Sequence, residues 1–287
     1  MNLENNLHKQ TLVTQIRATL PEFRASEKKV ATTVLKSPET VIYKSITNLA
    51  EDSGVSEPTV TRFCRKLGLS GFMELKLCIA RELPSGSYLH ENVSETDELP
   101  VIFEKLFNSC IEALKESLKQ IDTDTLQKAV AALRKAGRID FYGQGGSAIV
   151  ARDAYHKFFR LGIPCSVHDD PHMQVMSASC LNKSDVLIAV SHTGSTKDII
   201  ESAKIAQKAG ATVIGITGGS KSPLSKVSDI TISVNSKEAA LLLAPMTSRL
   251  VQLAIIDVLF VTVAMGSLDD FHQQLQKVKK ALINKRY

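Results

Sequence analysis

No C-x-x-C pair occurs among the five cysteines, Cys64, Cys78, Cys110, Cys165 and Cys180. Their scatter over apolar and helical contexts argues against a zinc site or a disulfide frame and leaves reduced packing residues. The opening MNLENNLHKQ has no apolar signal core, so a cytosolic protein is expected. Short-period repeats and low-complexity tracts are missing. With 44% hydrophobic and 23% charged residues the composition carries no bias toward disorder. Long apolar runs are scarce as well. The one candidate, LVQLAIIDVLFVTVAMG at 250–266, is interrupted by Gln252 and Asp257 and is short beside the roughly 20 residues a bilayer requires. A helix buried in the core or in a dimer interface is expected there, and no membrane partner.

What remains is a chain of 287 residues, long enough for two domains on the usual scale of roughly 100 to 200 residues each. Its net charge of +5 permits a nucleic-acid partner without requiring one. Residues 1–83 show helical spacing throughout and hold twelve Lys and Arg against nine Asp and Glu. Ser26 leads into a helical run that ends at Ser37-Pro38, and a short helix fits Ser45 to Asp52, stopped by Gly54. Ser56 then serves as N-cap for a further helix with Pro58 in its first turn. A short helix, a glycine-bearing turn and a second helix make a helix-turn-helix pattern.

The second of these helices is SEPTVTRFCRKLGL, residues 56–69. At about 100° per residue, Val60, Phe63, Cys64 and Leu67 share the packing face while Thr61, Arg62 and Arg65 lie opposite. A helix in the major groove needs short residues near its start, such as Ser56 and Thr59, and donors that reach base edges. Arginine forks onto guanine are the commonest such contact. Lys66 and the Ser56 region are expected to meet phosphates.

Residues 84–100, PSGSYLHENVSETDELP, have linker composition. Two helices are expected over 101–136, the second capped by Thr123 or Asp124. From there the texture alternates: RIDFYG, PCSVHD, DVLIAV, ATVIGITG and DITISV read as strands, with helical segments between them. Apolar strands alternating with helices imply a parallel sheet covered on both faces. The expected architecture is an all-α helix-turn-helix domain at 1–83, a linker, and a doubly wound, flavodoxin-like α/β domain of about five strands at 101–287.

Two loops of that second domain carry the chemistry. FYGQGGSAIVARDA places Gly143, Gly145, Gly146 and Ser147 between a strand and a helix, where glycine lets the backbone approach an anion closely. AVSHTGSTKDII places Ser191, His192, Thr193, Gly194, Ser195 and Thr196 at a strand tip running into a helix start, where unpaired N–H groups and hydroxyls make a phosphate site. In a doubly wound sheet such loops meet at the crevice where strand order reverses, and together they can hold a phosphorylated polyol. The G-x-G fragment also begins a dinucleotide fingerprint. Ala148 stands at its third glycine, and Asp169 and Asp170 are the first acids in range for a ribose, so no nicotinamide or flavin cofactor is expected.

The second loop resembles the S-x-[ST]-G-x-[ST] phosphate loop of sugar isomerase (SIS) domains, and GQGGS resembles their first ligand loop. Preceded by SEPTVTRFCRKLG, the whole is similar to the RpiR family of bacterial transcription regulators, a likeness that extends to MTSRLVQLAIIDVLF at 246–260. Within the family the pattern is most similar to regulators of hexose catabolism that respond to 2-keto-3-deoxy-6-phosphogluconate. The resemblance implies that Arg62 and Arg65 contact an operator and that Ser147 and Ser191, with Thr193 and Thr196, hold the effector's phosphate.

An isomerase would need a base beside the reacting carbons and a group that polarises the sugar. Glu238, His192 and His168 are the residues such an enzyme must use. That reading leaves the N-terminal helices without a role, whereas a sugar-phosphate-responsive regulator employs both halves. Operators read by a helix-turn-helix are usually palindromic, so a homodimer or higher homo-oligomer is expected, joined in part through the apolar helix at 248–264.

Overall fold

A computed structural model describes residues 11–42, 44–82, 93–94, 96–219, 221–234 and 246–283. The chain divides into two compact units, one holding the described residues up to Asn108 and the other those from Ser109 onward.

The first unit is helical: α1 (Leu12–Thr19), α2 (Ala25–Lys36), α3 (Pro38–Val41), α4 (Ile46–Asp52), α5 (Glu57–Lys66) and α6 (Phe72–Glu82). Local chemistry sets its boundaries. The Ser45 hydroxyl accepts from Asn48 N–H at 3.1 Å to start α4, and Gly54 takes φ +60° in the turn that follows. Arg24 rather than Ser26 precedes α2, and its N–H donates to the Glu27 carboxylate at 2.9 Å. The α2 run ends at Ser37 as expected, and Pro38 opens α3 in its first turn, where its missing N–H costs nothing. The core gathers Ile16, Val30, Val34, Leu49, Phe63, Leu75 and Ile79, all fully buried, with the Phe23 and Phe63 rings 5.1 Å apart.

Helix α7 (Leu99–Gln120) begins two residues before the end of the expected linker, with Pro100 in its first turn. Next come α8 (Thr123–Arg134), β1 (Ile139–Tyr142), α9 (Gly146–Phe158), β2 (Cys165–His168), α10 (Pro171–Ser179) and β3 (Val186–Ser191). The chain continues through α11 (Lys197–Lys208), β4 (Thr212–Thr217), β5 (Ile230–Ser233), α12 (Thr247–Met265) and α13 (Leu268–Leu282). The cap of α8 is Asp122, one residue before the expected Thr123, and it accepts from the N–H groups of Asp124 and Thr125 at 3.1 Å each.

All five strands run parallel in the order β2-β1-β3-β4-β5, the doubly wound order expected. Alternate side chains go to opposite faces. Phe141, Ile188, Ile214 and Ile216 meet Val150, Phe158, Ile255 and Leu259 of α9 and α12, while Tyr142, Leu187, Ala189 and Val213 meet Ala178, Ile199 and Ala203 of α10 and α11. Each large side chain fully buried in this way contributes about 1.5 to 3 kcal/mol.

Helix α12 is long and apolar enough to cross a membrane by length and composition. One face, with Val251, Ile255, Ile256, Leu259 and Val263, is packed into the core, and the other exposes Leu250, Val258, Val261 and Met265. The five cysteines are free. Cys64 is buried in the helical core and its thiol is pushed up to about 12 by burial, but Cys180 is exposed and so is not the packing residue expected.

Candidate functional site

Helix α5 turns its two faces as the periodicity requires. Val60, Phe63, Cys64 and Leu67 are buried, Thr61 is half-exposed, and Arg62 and Arg65 stand in solvent. Ser56 is the residue before the helix, yet its hydroxyl does not cap a backbone N–H; it pairs with the Thr59 hydroxyl at 3.1 Å. Thr59 is itself buried, and its Oγ1 accepts from Arg62 Nη2 at 2.9 Å. Lys66 is exposed but leans back along the fold. Its ammonium bonds the Glu22 carbonyl, lies 3.6 Å from the Glu27 carboxylate and sits over the Phe23 ring. Of the six residues expected to face DNA, Ser56, Thr61, Arg62, Arg65 and Lys66 are exposed or half-exposed, while Thr59 is buried.

The second candidate region lies at the carboxyl ends of the strands. Register aligns Tyr142 with Ala189 and Ser191 with Thr217, so the loops after β1, β3 and β4 leave from one edge of the sheet. The chain passes from β1 to α9 on one face and from β3 to α11 on the other, although these strands are neighbours. The crevice between them is the switch point of the fold.

Both expected loops border it. Gly145 takes φ +54° as α9 begins at Gly146, and Ser147 lies buried in the first turn. The Ser147 hydroxyl accepts from His192 N–H at 3.4 Å, which joins the first loop to the second. Ser191, also buried, pairs its hydroxyl with that of Thr196 at 3.1 Å, so Thr196 does not cap α11. The start of α11 is therefore a helix N-terminus without a side-chain acceptor from its cap residue, flanked by hydroxyls, an arrangement suited to an anion. Thr193 points out, and its hydroxyl and carbonyl bond Ser195 at 3.2 and 3.3 Å. Gly194 is buried at φ +62°, and a Cβ there would collide with the Thr217 and Ser222 hydroxyls.

That collision exposes a third segment which sequence reasoning missed. Thr217, which ends β4, and Gly218 and Ser222 after it close the floor beneath the second loop: Gly218 N–H donates to the His192 carbonyl at 2.8 Å and Leu224 N–H to the Gly194 carbonyl at 2.9 Å. The glycine and hydroxyl run in ITGGS after an apolar strand is the signal that points to it. Also missed were Gln144, Gln174 and Asp198. Gln174 is fully buried and donates to the carbonyls of His168 at 2.9 Å and Gly143 at 3.3 Å. Gln144 reaches both Gln174 and Asp198.

Of the residues an isomerase would need, two lie among the described residues. His168 ends β2 with its ring 5.8 Å from that of Tyr142, His192 belongs to the second loop, and Glu238 lies outside the described residues. The two acids in range of a dinucleotide ribose are engaged elsewhere: Asp169 pairs with Arg152, and Asp170 caps α10 by accepting from Met173 N–H at 2.9 Å. Among the described residues no cluster of His, Cys, Asp and Glu fits a metal ion.

Comparison with known proteins places both units. Residues 10–86 match the helix-turn-helix domain of the rpiR family, and residues 132–262 match the SIS domain. The chain is 38% identical to the HTH-type transcriptional regulator HexR of Pseudomonas aeruginosa, over 97% of this chain and 98% of that one. It is 37% identical to HexR of Escherichia coli over 96% of each. Among solved structures it is similar to the Vibrio vulnificus NanR protein complexed with ManNAc-6P, with a TM-score of 0.83 and 27% identity, covering 96% of this chain and 99% of the other. The chain thus belongs to the rpiR family of HTH-type transcriptional regulators, and it is a DNA-binding regulator with a sugar-phosphate-type SIS domain rather than an enzyme.

Proposed function

We propose that this protein controls genes of hexose catabolism and that its effector is a phosphorylated sugar or sugar acid, with 2-keto-3-deoxy-6-phosphogluconate the first candidate. The observation that carries the reading is the crevice itself, where the buried hydroxyls of Ser147 and Ser191 and the N-terminus of α11 converge. Likeness to HexR regulators supports the hexose assignment, and the NanR complex with ManNAc-6P supports a phosphosugar. Residues 145–147 and 191–196 hold the phosphate end, Arg62 and Arg65 reach base edges, and no cofactor takes part.

The regulator works in the cytoplasm as a homodimer. A groove of about 400 Å³ between α7, α8 and α12 is lined by Leu114, Leu118, Ile121, Leu126, Ala254 and Val258, of which Leu118 and Val258 are exposed. A second copy can cover such an apolar surface with the same patch across a two-fold axis. Two copies match a palindromic operator.

Because a ligand shifts an equilibrium only by its differential affinity, the effector must favour either the DNA-free or the DNA-bound arrangement. Fluorescence anisotropy on DNA from upstream of the gene, titrated with 2-keto-3-deoxy-6-phosphogluconate and other sugar phosphates at fixed salt, tests this. Release or tightening by one compound supports the reading. Consumption of a sugar phosphate with no DNA binding overturns it.

A further inference from the structure

Gln144 joins three chain segments at the crevice. Its Nε2 lies 3.4 Å from Gln174 Oε1 and 3.4 Å from Asp198 Oδ2, the second contact linking the loop after β1 to the first turn of α11. Both contacts are at the far limit of a hydrogen bond, whereas Gln174 holds the His168 carbonyl at 2.9 Å from a fully buried position. Gln174 is thus the fixed member of the set. Gln144 and Asp198 are half-exposed and held loosely.

A loosely held amide donor beside a carboxylate acceptor has the complement of one hydroxyl group, which accepts and donates at once. Inorganic phosphate offers only weak donation to Asp198 and brings like charge toward it. We infer that Gln144 and Asp198 form a hydroxyl-reading pair, which selects a phosphorylated polyol over phosphate alone, and that Gln174 is the positioning residue that aims Gln144. This rests on the assignment of the adjoining hydroxyl loop as the phosphate site. It adds a specificity element to that site. A sugar hydroxyl seated between the two side chains replaces one long contact with two bonds of ordinary length, and the two groups, 3.4 Å apart without it, move apart to admit it.

The test is calorimetric titration of the full-length protein with inorganic phosphate and with the sugar phosphate selected by the anisotropy titration. Gln144→Leu removes the donor, and Asp198→Asn is an isosteric change that removes the charge. Each is expected to lower the preference for sugar phosphate over inorganic phosphate by at least about tenfold, the scale of one hydrogen bond to a charged group. A preference unchanged in both variants overturns the inference and leaves the phosphate site standing. Equal weakening of both ligands overturns it too, because that result assigns the pair to loop structure. Absence of sugar-phosphate binding to the unmodified protein refutes the phosphate site and this pair with it.

Discussion

The guanidinium of Arg62 donates to the hydroxyl of Thr59 at 2.9 Å, one helical turn earlier on α5. Thr59 is buried, so a side chain packed inside the unit holds the guanidinium tip of one that is exposed. Ordering an arginine before it meets a base reduces the entropy lost on binding. Arg62→Ala and Arg65→Ala are each expected to weaken specific operator binding by about 1 to 3 kcal/mol while leaving effector affinity alone, as measured by anisotropy and calorimetry. Thr59→Val keeps the packing but frees the guanidinium, and a smaller loss in the same direction is expected. Equal loss of both functions on removing either arginine would contradict the assignment of α5.

Gly194 has two independent reasons to be glycine: its φ of +62° and the hydroxyls of Thr217 and Ser222 where a Cβ would go. Gly194→Ala must strain the backbone and push the floor segment away, at about 1 to 3 kcal/mol. The expected result is loss of the effector response with operator binding retained. A response of normal strength would show that the second loop tolerates distortion and does not hold the phosphate.

Lys76 gives a pH dependence. It is buried against the Lys44 carbonyl at 3.3 Å and the Phe72 ring at 5.1 Å, and burial lowers its pKa from 10.5 to about 8. Between those two values the unfolded chain holds the proton that the folded one has released, so this residue makes stability rise as pH increases through the window. Below pH 8 the buried ammonium opposes folding in full. Lys76→Met should therefore stabilise the protein at pH 7 by about 1 to 3 kcal/mol and flatten the rise above pH 8. Urea denaturation at pH 7 and pH 10 measures both effects, and an unaltered pH profile would exclude Lys76 as its source.

Asp140, fully buried on β1, accepts from Arg138 Nε at 2.7 Å, from the Ser166 and Ser177 hydroxyls at 2.5 Å each and from Tyr142 Oη at 3.1 Å. Burial also pushes the Tyr142 phenol up, which keeps it a neutral donor. Removing the shared acceptor strands several donors at once. Asp140→Ala is expected to destabilise the second unit by about 3 to 5 kcal/mol, read as a lower thermal midpoint; a shift of under a degree would show the cluster to be dispensable.

Strand β3 was legible as a continuous apolar run, the other four as short segments with apolar residues alternating with helical stretches, and α5 was legible because its charged and apolar faces separate cleanly. The caps were less so: Asp122, Thr123 and Asp124 are all good cap residues, and only backbone geometry chooses among them. Thr59 was misplaced for a related reason. A polar residue on a recognition helix reads as solvent-facing, yet this one is buried and bonds its own helix. Gln174 left no trace in the pattern, since a carboxamide that donates to carbonyls 6 and 31 residues away has no local signature.

Strands β1 and β3 are neighbours in the sheet although a full helix-strand-helix excursion separates them in the chain. The crevice consequently has no existence before β3 docks, either during synthesis or during refolding. A molecule that binds there binds only the completed sheet, and it stabilises that state by an amount that grows with its concentration over its dissociation constant. The metabolite sensed by this regulator would then also act as its chaperone, and cells rich in it would keep more of the receptor intact as well as more of it occupied.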